Sequence, residues 1–284
     1  MKVQWQPGGL LNAVHYLWTM AEDRQVDPAA VDCDGAAESA IRAFDALPVR
    51  KELWWQHLGG LAGGIPNPRE LIEVALRKSG CRDAGNVARL ADDLTKVQQA
   101  IERAHPELAS ELNIRSNPLQ HLWGERGPGM MRQLEASLPE QVLADQAHVW
   151  LVYPFAGGQG NCFLNYNSVA IEAVLANPDP VLAETVRLGW LLSQLQLDLP
   201  EFSERIPPAR HAAVASAGMV PVALEAAAKV DWTTCDERMV QHAFSTWHIP
   251  ADAAIVWNWY QTYLDLKPPL AVALAALDHE LSAA

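Results

Sequence analysis

The feature that most restricts the fold of this chain is a series of helix-spaced segments, each ended by proline or glycine. The clearest runs from about Ala84 to Ala104, where apolar residues recur at intervals of three, four, three and four: Val87, Leu90, Leu94, Val97 and Ile101. That spacing places them on one helix face, and the residue before Pro106 is pushed out of helical geometry. Similar segments fill the chain from residue 9 to about 147 and again after Pro180. The sequence therefore predicts a mainly α fold.

A short stretch in the middle of the chain departs from this pattern. His148–Phe155 is rich in aromatic and β-branched residues, which favours a strand. The glycine-rich segment 156–161 is typical of a loop, and Cys162–Tyr166 of a second strand. We expect a small β-hairpin near residues 148–166, unless these residues join a larger sheet. The next segment, 167–175, is predicted to be a capped helix.

No linker-like stretch divides the chain. We therefore expect one compact helical domain over residues 1–284. The only shift in composition lies near residues 139–148. It would separate a helical half, 1–140, from a second half, 148–284, that contains the hairpin and the remaining helices.

The charge balance excludes two classes of partner. The chain carries 21 Lys and Arg against 34 Asp and Glu, a net charge of −13. Nucleic acids and anionic membranes both require a basic surface, so neither is an expected partner. The N-terminal residues contain no apolar signal segment, and the cysteines are far apart with no C-x-x-C pair: Cys33, Cys81, Cys162 and Cys235. This pattern predicts a cytoplasmic protein with free thiols.

The glycine-rich part of segment 156–172 is the first candidate for a site. It lacks the lysine of a phosphate-binding P-loop and the third glycine of a dinucleotide fingerprint. Its glycines indicate unusual backbone angles or close approach of another group, and its asparagines supply hydrogen-bonding amides. The alternative is a plain hairpin turn. The candidate ligand-binding residues are Gly157, Gly158, Gly160, Asn161 and Asn165.

Two side chains in or near this segment are candidates for catalysis. Cys162 could act as a nucleophile with His148 as its base, since a thiolate needs a neighbouring group to take its proton. Glu172 could act as a buried acid. The alternatives are an inert buried thiol and an ordinary solvent-facing glutamate.

Metal and cofactor sites find no support in the sequence. His279-Glu280 begins an H-E-x-x pattern, but the second histidine of a zinc-binding helix is missing. Glu102-x-x-His105 occurs once, whereas a di-iron bundle needs two such motifs and two further glutamates. We predict neither a metal nor a cofactor.

The chain is rich in tryptophan, with eleven residues. Trp54 and Trp55 are adjacent, so both cannot face one core stripe of a helix. We predict that one of this pair lines a groove or an interface, where tryptophan is enriched.

A run of about 40 residues carries the one resemblance to other proteins. Asn167–Leu175, followed by Arg187–Leu192 and Leu195–Pro200, resembles a run found in uncharacterised planctomycete-type bacterial proteins. The resemblance implies a bacterial intracellular protein and implies no activity.

Two functions remain open from the sequence. The first is a non-catalytic helical protein that binds a protein partner or a second copy of itself. The alternative is an enzyme of hydrolase or transferase type, with its site in segment 156–172 and Cys162 or Glu172 as the reacting group. An enzyme predicts convergent polar groups in a concave pocket, whereas a protein-binding surface predicts an exposed apolar patch.

The cysteine interpretation predicts a thiol count. Unreduced, denatured protein should react with about four equivalents of a thiol reagent, because a cytosolic chain keeps its cysteines reduced. A count near zero would indicate two disulfides and contradict the expected compartment.

Overall fold

The computed structural model describes residues 1–22, 31, 35–81, 87–138 and 142–283. Within these residues the chain is mainly helical with a small sheet, as the sequence predicts. The strands are β1 (Lys2–Pro7), β2 (Gln146–Val152), β3 (Gly160–Phe163) and β4 (Ser168–Glu172). The helices are α1 (Leu11–Ala21), α2 (Ala36–Asp45), α3 (Lys51–Ala62), α4 (Pro68–Lys78), α5 (Val87–Ala104), α6 (Leu108–Ser137), α7 (Glu184–Leu192), α8 (Pro200–Ser203), α9 (His211–Ala228), α10 (Glu237–Trp247), α11 (Ala253–Leu266) and α12 (Leu270–Ala283).

The strands form one mixed sheet in the order β1-β2-β4-β3. β2 runs parallel to both β1 and β4, and β3 runs antiparallel to β4. The predicted hairpin between His148–Phe155 and Cys162–Tyr166 is therefore wrong in its pairing, and these residues join a larger sheet. Cys162 and Phe163 do lie in a strand, but Leu164–Tyr166 form a 3₁₀ turn.

The segment 167–175, predicted to be a helix, contains strand β4 instead. All five residues of β4 are buried, because helices cover both faces of the sheet. A strand buried on both faces has no alternating polar pattern, so its apolar run looks like part of a buried helix. Asn167, which together with Ser168 was a candidate for the helix cap, has a φ of 43° and turns the chain into β4.

The sheet separates two hydrophobic clusters. One cluster combines α1–α5 with Val152, Phe163 and Ala170 of the sheet. The other combines α6, α7 and α9–α12 with the opposite face, including Val149 and Ile171. Since β1 comes from the N-terminal half and pairs with β2, the sheet is the element shared by both halves of the chain. The proposed boundary lies partly outside the described residues, because 139–141 are not among them.

Helix α5 confirms the 3-4-3-4 pattern, since all five of its apolar positions are buried. Helix α6 differs from expectation: the sequence predicts three short helices here, and the structure has one of 30 residues that includes Pro118 and Pro128. A proline removes one backbone hydrogen bond from a helix interior. Packing of apolar side chains such as Leu119 and Met130 against the core offsets that loss here.

Helix α9 is long and apolar enough to cross a membrane by length and composition, and 72% of its most apolar window is buried inside the protein. Its apolar surface is therefore used in the core, where it packs against α7, α10, α11 and α12.

Helix α3 packs on the sheet through its glycines. The sequence predicts that Gly59-Gly60 ends this helix, but α3 continues to Ala62. A Cβ at Gly60 would overlap the ring of Tyr166, and one at Gly59 would overlap the ring of Phe163. The helix backbone lies directly against these rings, so a side chain at either position would require the ring to move.

This close approach predicts whether an alanine substitution raises or lowers the free energy of unfolding. Gly60→Ala should lower the free energy of unfolding by about 1–3 kcal/mol, since overpacking outweighs the gain in helix propensity. Gly124→Ala is the matched control, because a Cβ there, within α6, meets no atom within 4 Å. It should raise stability by about 0.4–1 kcal/mol. Chemical denaturation measures both; equal effects would contradict the packing argument.

Candidate functional site

A buried carboxylate organises the glycine-rich loop. Glu172, the last residue of β4, is fully buried and accepts three hydrogen bonds. The backbone N–H of Ala156 donates to Oε1 at 3.0 Å, and that of Gly158 to Oε2 at 2.6 Å. Nε2 of His15, from α1, lies 2.9 Å from Oε1. One side chain therefore joins the end of β4, the loop and the first helix.

These contacts fix the tautomer of His15. Both oxygens of Glu172 accept backbone N–H groups, which matches an ionised carboxylate. An ionised carboxylate only accepts hydrogen bonds, so Nε2 of His15 carries the proton. In the neutral imidazole the other nitrogen, Nδ1, then presents a lone pair.

The glycine-rich loop does bind an anion, but the anion is the protein's own Glu172 carboxylate. Gly157 and Gly158 have φ values of 77° and 130°, which L side chains rarely adopt. This backbone turns two N–H groups toward Glu172. The same donors are therefore not free for an external phosphate, and Gly157 and Gly158 have a structural role in holding the loop.

The structure separates Cys162 from His148. Cys162 belongs to the hydrophobic cluster formed with α7, on one face of the sheet. His148 lies between Ala147 and Val149, which contact that same cluster, so strand alternation directs it to the other face. There its ring stacks with that of Trp150. Burial raises the pKa of Cys162 well above its usual range, so this thiol is a poor source of thiolate.

A cleft lies beside the loop, between the two helical halves. It has a volume of about 800 Å³ and includes four tryptophans: Trp18, Trp55, Trp190 and Trp247. Asn161, Gln159 and Gln56 add amide groups to its wall. We call this volume the outer cleft.

A narrower volume of about 40 Å³ continues from the outer cleft toward the sheet. His15, Leu11 and Phe163 line it, and it shares four residues with the outer cleft: Trp18, Trp55, Gln56 and Asn161. We call it the inner pocket.

Three buried polar atoms around these volumes have no hydrogen-bond partner among the described residues. They are Nδ1 of His15, Nε1 of Trp55 and Oε1 of Gln159, whose residues are 2%, 8% and 3% exposed. Buried polar groups are normally paired, because leaving one unpaired costs about 1–3 kcal/mol. The walls of the cleft and the inner pocket thus contain three residues that each carry one unpaired polar atom: two acceptors and one donor.

The cleft carries little formal charge. Among the described residues, the acidic and basic side chains in its wall are those of Glu22, Glu52, Lys51 and His248, and Lys51 lies 3.4 Å from Asp45. The lining therefore does not favour an anionic ligand.

A buried ion pair supports the back of the cleft. Glu184 and Arg187 are each 2% exposed and lie 3.0 Å apart. Burial raises the pKa of Glu184, and the neighbouring Arg187 opposes that effect. The Arg187 guanidinium lies over the ring of Trp247, which itself stacks on Trp190. The pair therefore holds two of the cleft tryptophans in place.

The remaining predicted residues lie in different surroundings. Asn161 and Gly160 line the outer cleft, whereas Asn165 lines an adjacent cavity of about 310 Å³ with Asp198 and His211. Trp54 and Trp55 are both buried, and of the two only Trp55 lines the cleft.

Sequence reasoning missed His15, although a signal was present. Asn12, His15 and Thr19 form a polar stripe at intervals of three and four on an otherwise apolar helix, and all three are buried. The Asn12 side chain accepts a hydrogen bond from the backbone N–H of Tyr153. A buried polar stripe of this kind indicates specific hydrogen bonds to the rest of the fold.

The described residues contain no group of three or more His, Cys, Asp and Glu side chains that could hold a metal ion. Three of the cysteines, Cys81, Cys162 and Cys235, have free thiols, and Cys33 lies outside the described residues.

The Glu172 contacts predict a stability effect. Glu172→Gln should lower the free energy of unfolding by about 1–3 kcal/mol, because an amide NH₂ must then face a buried N–H donor. Glu73→Gln is the control, since its ion pair with Arg69 is exposed and should contribute less than about 1 kcal/mol. Urea denaturation compares the two, and a Glu172→Gln effect no larger than that of the control would contradict the anchoring role.

Comparison of the chain with known protein families, curated proteins and solved structures finds no match.

Proposed function

We propose that this protein binds a small, uncharged, polyhydroxylated ring compound in the outer cleft. The observation that supports this function is the set of three buried, unpaired polar atoms of His15, Trp55 and Gln159 along the cleft and inner pocket. A bound molecule that paired with them would remove the cost of burying them unsatisfied.

The shape of the site favours a small molecule. Ligand sites are typically concave, about 300–1,000 Å³ in volume, and combine apolar walls with a few placed polar groups. The outer cleft, at about 800 Å³ with four tryptophans and three amides, matches that description.

The chemistry of the wall favours hydroxyl groups on a ring. A hydroxyl both donates and accepts, so one compound can serve the acceptors on His15 and Gln159 and the donor on Trp55. Tryptophan faces offer flat apolar area to the C–H face of a saturated ring. The near-neutral lining argues against phosphorylated compounds.

A protein partner, which the sequence analysis favoured, is the weaker proposal. Trp54 and Trp55 were its candidate interface residues, and they are 1% and 8% exposed. Neither offers the exposed apolar patch that such an interface requires. The large exposed apolar side chains elsewhere are spread over several elements, from Ile114 on α6 to Leu266 on α11.

A ligand-binding test follows from the tryptophan pair. Glucose and N-acetylglucosamine in large excess should raise the melting temperature and reduce acrylamide quenching of tryptophan, while glucose 6-phosphate should do so less. Trp55→Phe should abolish the stabilisation, because it deletes the Nε1 donor. Trp54→Phe should retain it, because Trp54 loses an equally unpaired buried N–H that does not line the cleft. The proposal fails if neither neutral sugar stabilises the protein, or if Trp55→Phe responds like Trp54→Phe.

A further inference from the structure

We propose that His15, positioned by Glu172, is a catalytic base that activates a water molecule for hydrolysis of an ester bond in the bound ligand. This inference rests on the proposed function, and it adds a reaction to the binding site. It assigns Glu172 the role of a positioning residue rather than of a reacting acid.

The base is held in one orientation. Glu172 is fixed by the backbone N–H groups of Ala156 and Gly158, so it cannot rotate away from Nε2 of His15 at 2.9 Å. The rings of Trp18 and Phe155 lie 6.1 and 6.2 Å from that of His15. A general base needs this kind of support, with one nitrogen bound to an orienting carboxylate and the other free to take a proton.

The His15 side chain lines a space large enough for a water molecule. His15 is 98% buried, Nδ1 has no partner among the described residues, and the residue lines the inner pocket. A volume of about 40 Å³ is enough for a water molecule, which needs at least about 10–15 Å³. The four residues shared by the pocket and the cleft place that water beside the proposed ligand.

The reaction balances with water as the only co-reactant. Nδ1 of His15 takes a proton from the water while its oxygen forms a bond to the ester carbonyl carbon. The C–O bond to the leaving alcohol then breaks, and the proton on Nδ1 passes to the leaving oxygen. The products are a carboxylic acid and an alcohol, and His15 returns to its starting state.

The pocket also offers a donor for the negative charge that develops on the carbonyl oxygen. Nε1–H of Trp55 is an unpaired donor, and Trp55 lines both the inner pocket and the outer cleft. Such preorganised donors stabilise the transition state of acyl transfer.

The lining favours direct attack by water over a covalent intermediate. Within the described residues, the inner pocket is lined by no Ser, Thr or Cys side chain. Cys162, the nucleophile suggested by the sequence, faces the opposite side of the sheet from His148 and has a raised pKa because of burial. Water is therefore the nucleophile available to His15.

The experiment uses the full chain with two neutral esters, p-nitrophenyl acetate and 6-O-acetylglucose. We expect hydrolysis above the buffer rate, with kcat reduced about 10²–10⁴-fold in His15→Gln. The glutamine amide can still donate to Glu172, so the variant should remain folded. His148→Gln is the matched control, because His148 is a second histidine on the α3 side of the sheet that lines neither the inner pocket nor the outer cleft. This variant should keep the wild-type kcat.

The outcomes separate the two proposals. If N-acetylglucosamine stabilises the wild type but neither ester is hydrolysed above background, binding stands and catalysis fails. If His15→Gln hydrolyses at the wild-type rate, His15 is not the base. If no sugar binds, the proposed function itself fails.

A further measurement applies if His15→Gln does not fold. Nitrogen-15 spectra of the wild-type histidines should show His15 protonated at Nε2 and unprotonated at Nδ1. A proton on Nδ1 at neutral pH would overturn the assignment of this residue as a base.

Discussion

The buried carboxylate of Glu172 is the interaction on which the rest of this structure depends. A buried charge is tolerated only where hydrogen bonds compensate for its lost hydration. Here the compensation comes from two backbone N–H groups of the glycine-rich loop and from His15, on a helix more than 150 residues away in sequence. The contact therefore fixes the loop, the first helix and one wall of the cleft together, and it leaves one imidazole nitrogen free.

The fold class was predictable because the helical spacing of apolar residues can be detected within a short stretch of sequence. The 3-4-3-4 spacing of α5 is visible within 18 residues, and the structure confirms it. The sheet was not predictable in the same way, since β1 pairs with β2 in parallel across most of the N-terminal half. Nothing within either strand specifies a parallel partner at that distance. Strand β4 added a second difficulty, because burial on both faces removes the alternation that identifies a strand.

Part of the candidate site was predictable, because some of its residues lie in one short and unusual segment. Gly160 was a candidate because clustered glycines indicate unusual backbone angles or a close approach, and Asn161 because its amide can form hydrogen bonds; both residues line the cleft. Their partners could not be inferred, since Trp18, Trp190 and Trp247 lie on three separate helices. The glycines were correctly taken as a sign of unusual backbone. Their target, an internal carboxylate, is evident only from the three-dimensional contacts.

The pairing of β1 with β2 has a consequence for synthesis of the chain. Lys2 pairs with Gln146, so β1 has no partner until about 140 further residues have been translated. At about 5–20 residues per second, that interval is on the order of 7–30 s. During it the nascent N-terminal half holds an unpaired strand with Val3 and Trp5 available for wrong association. The sheet can therefore form only after α1–α6 have been synthesised.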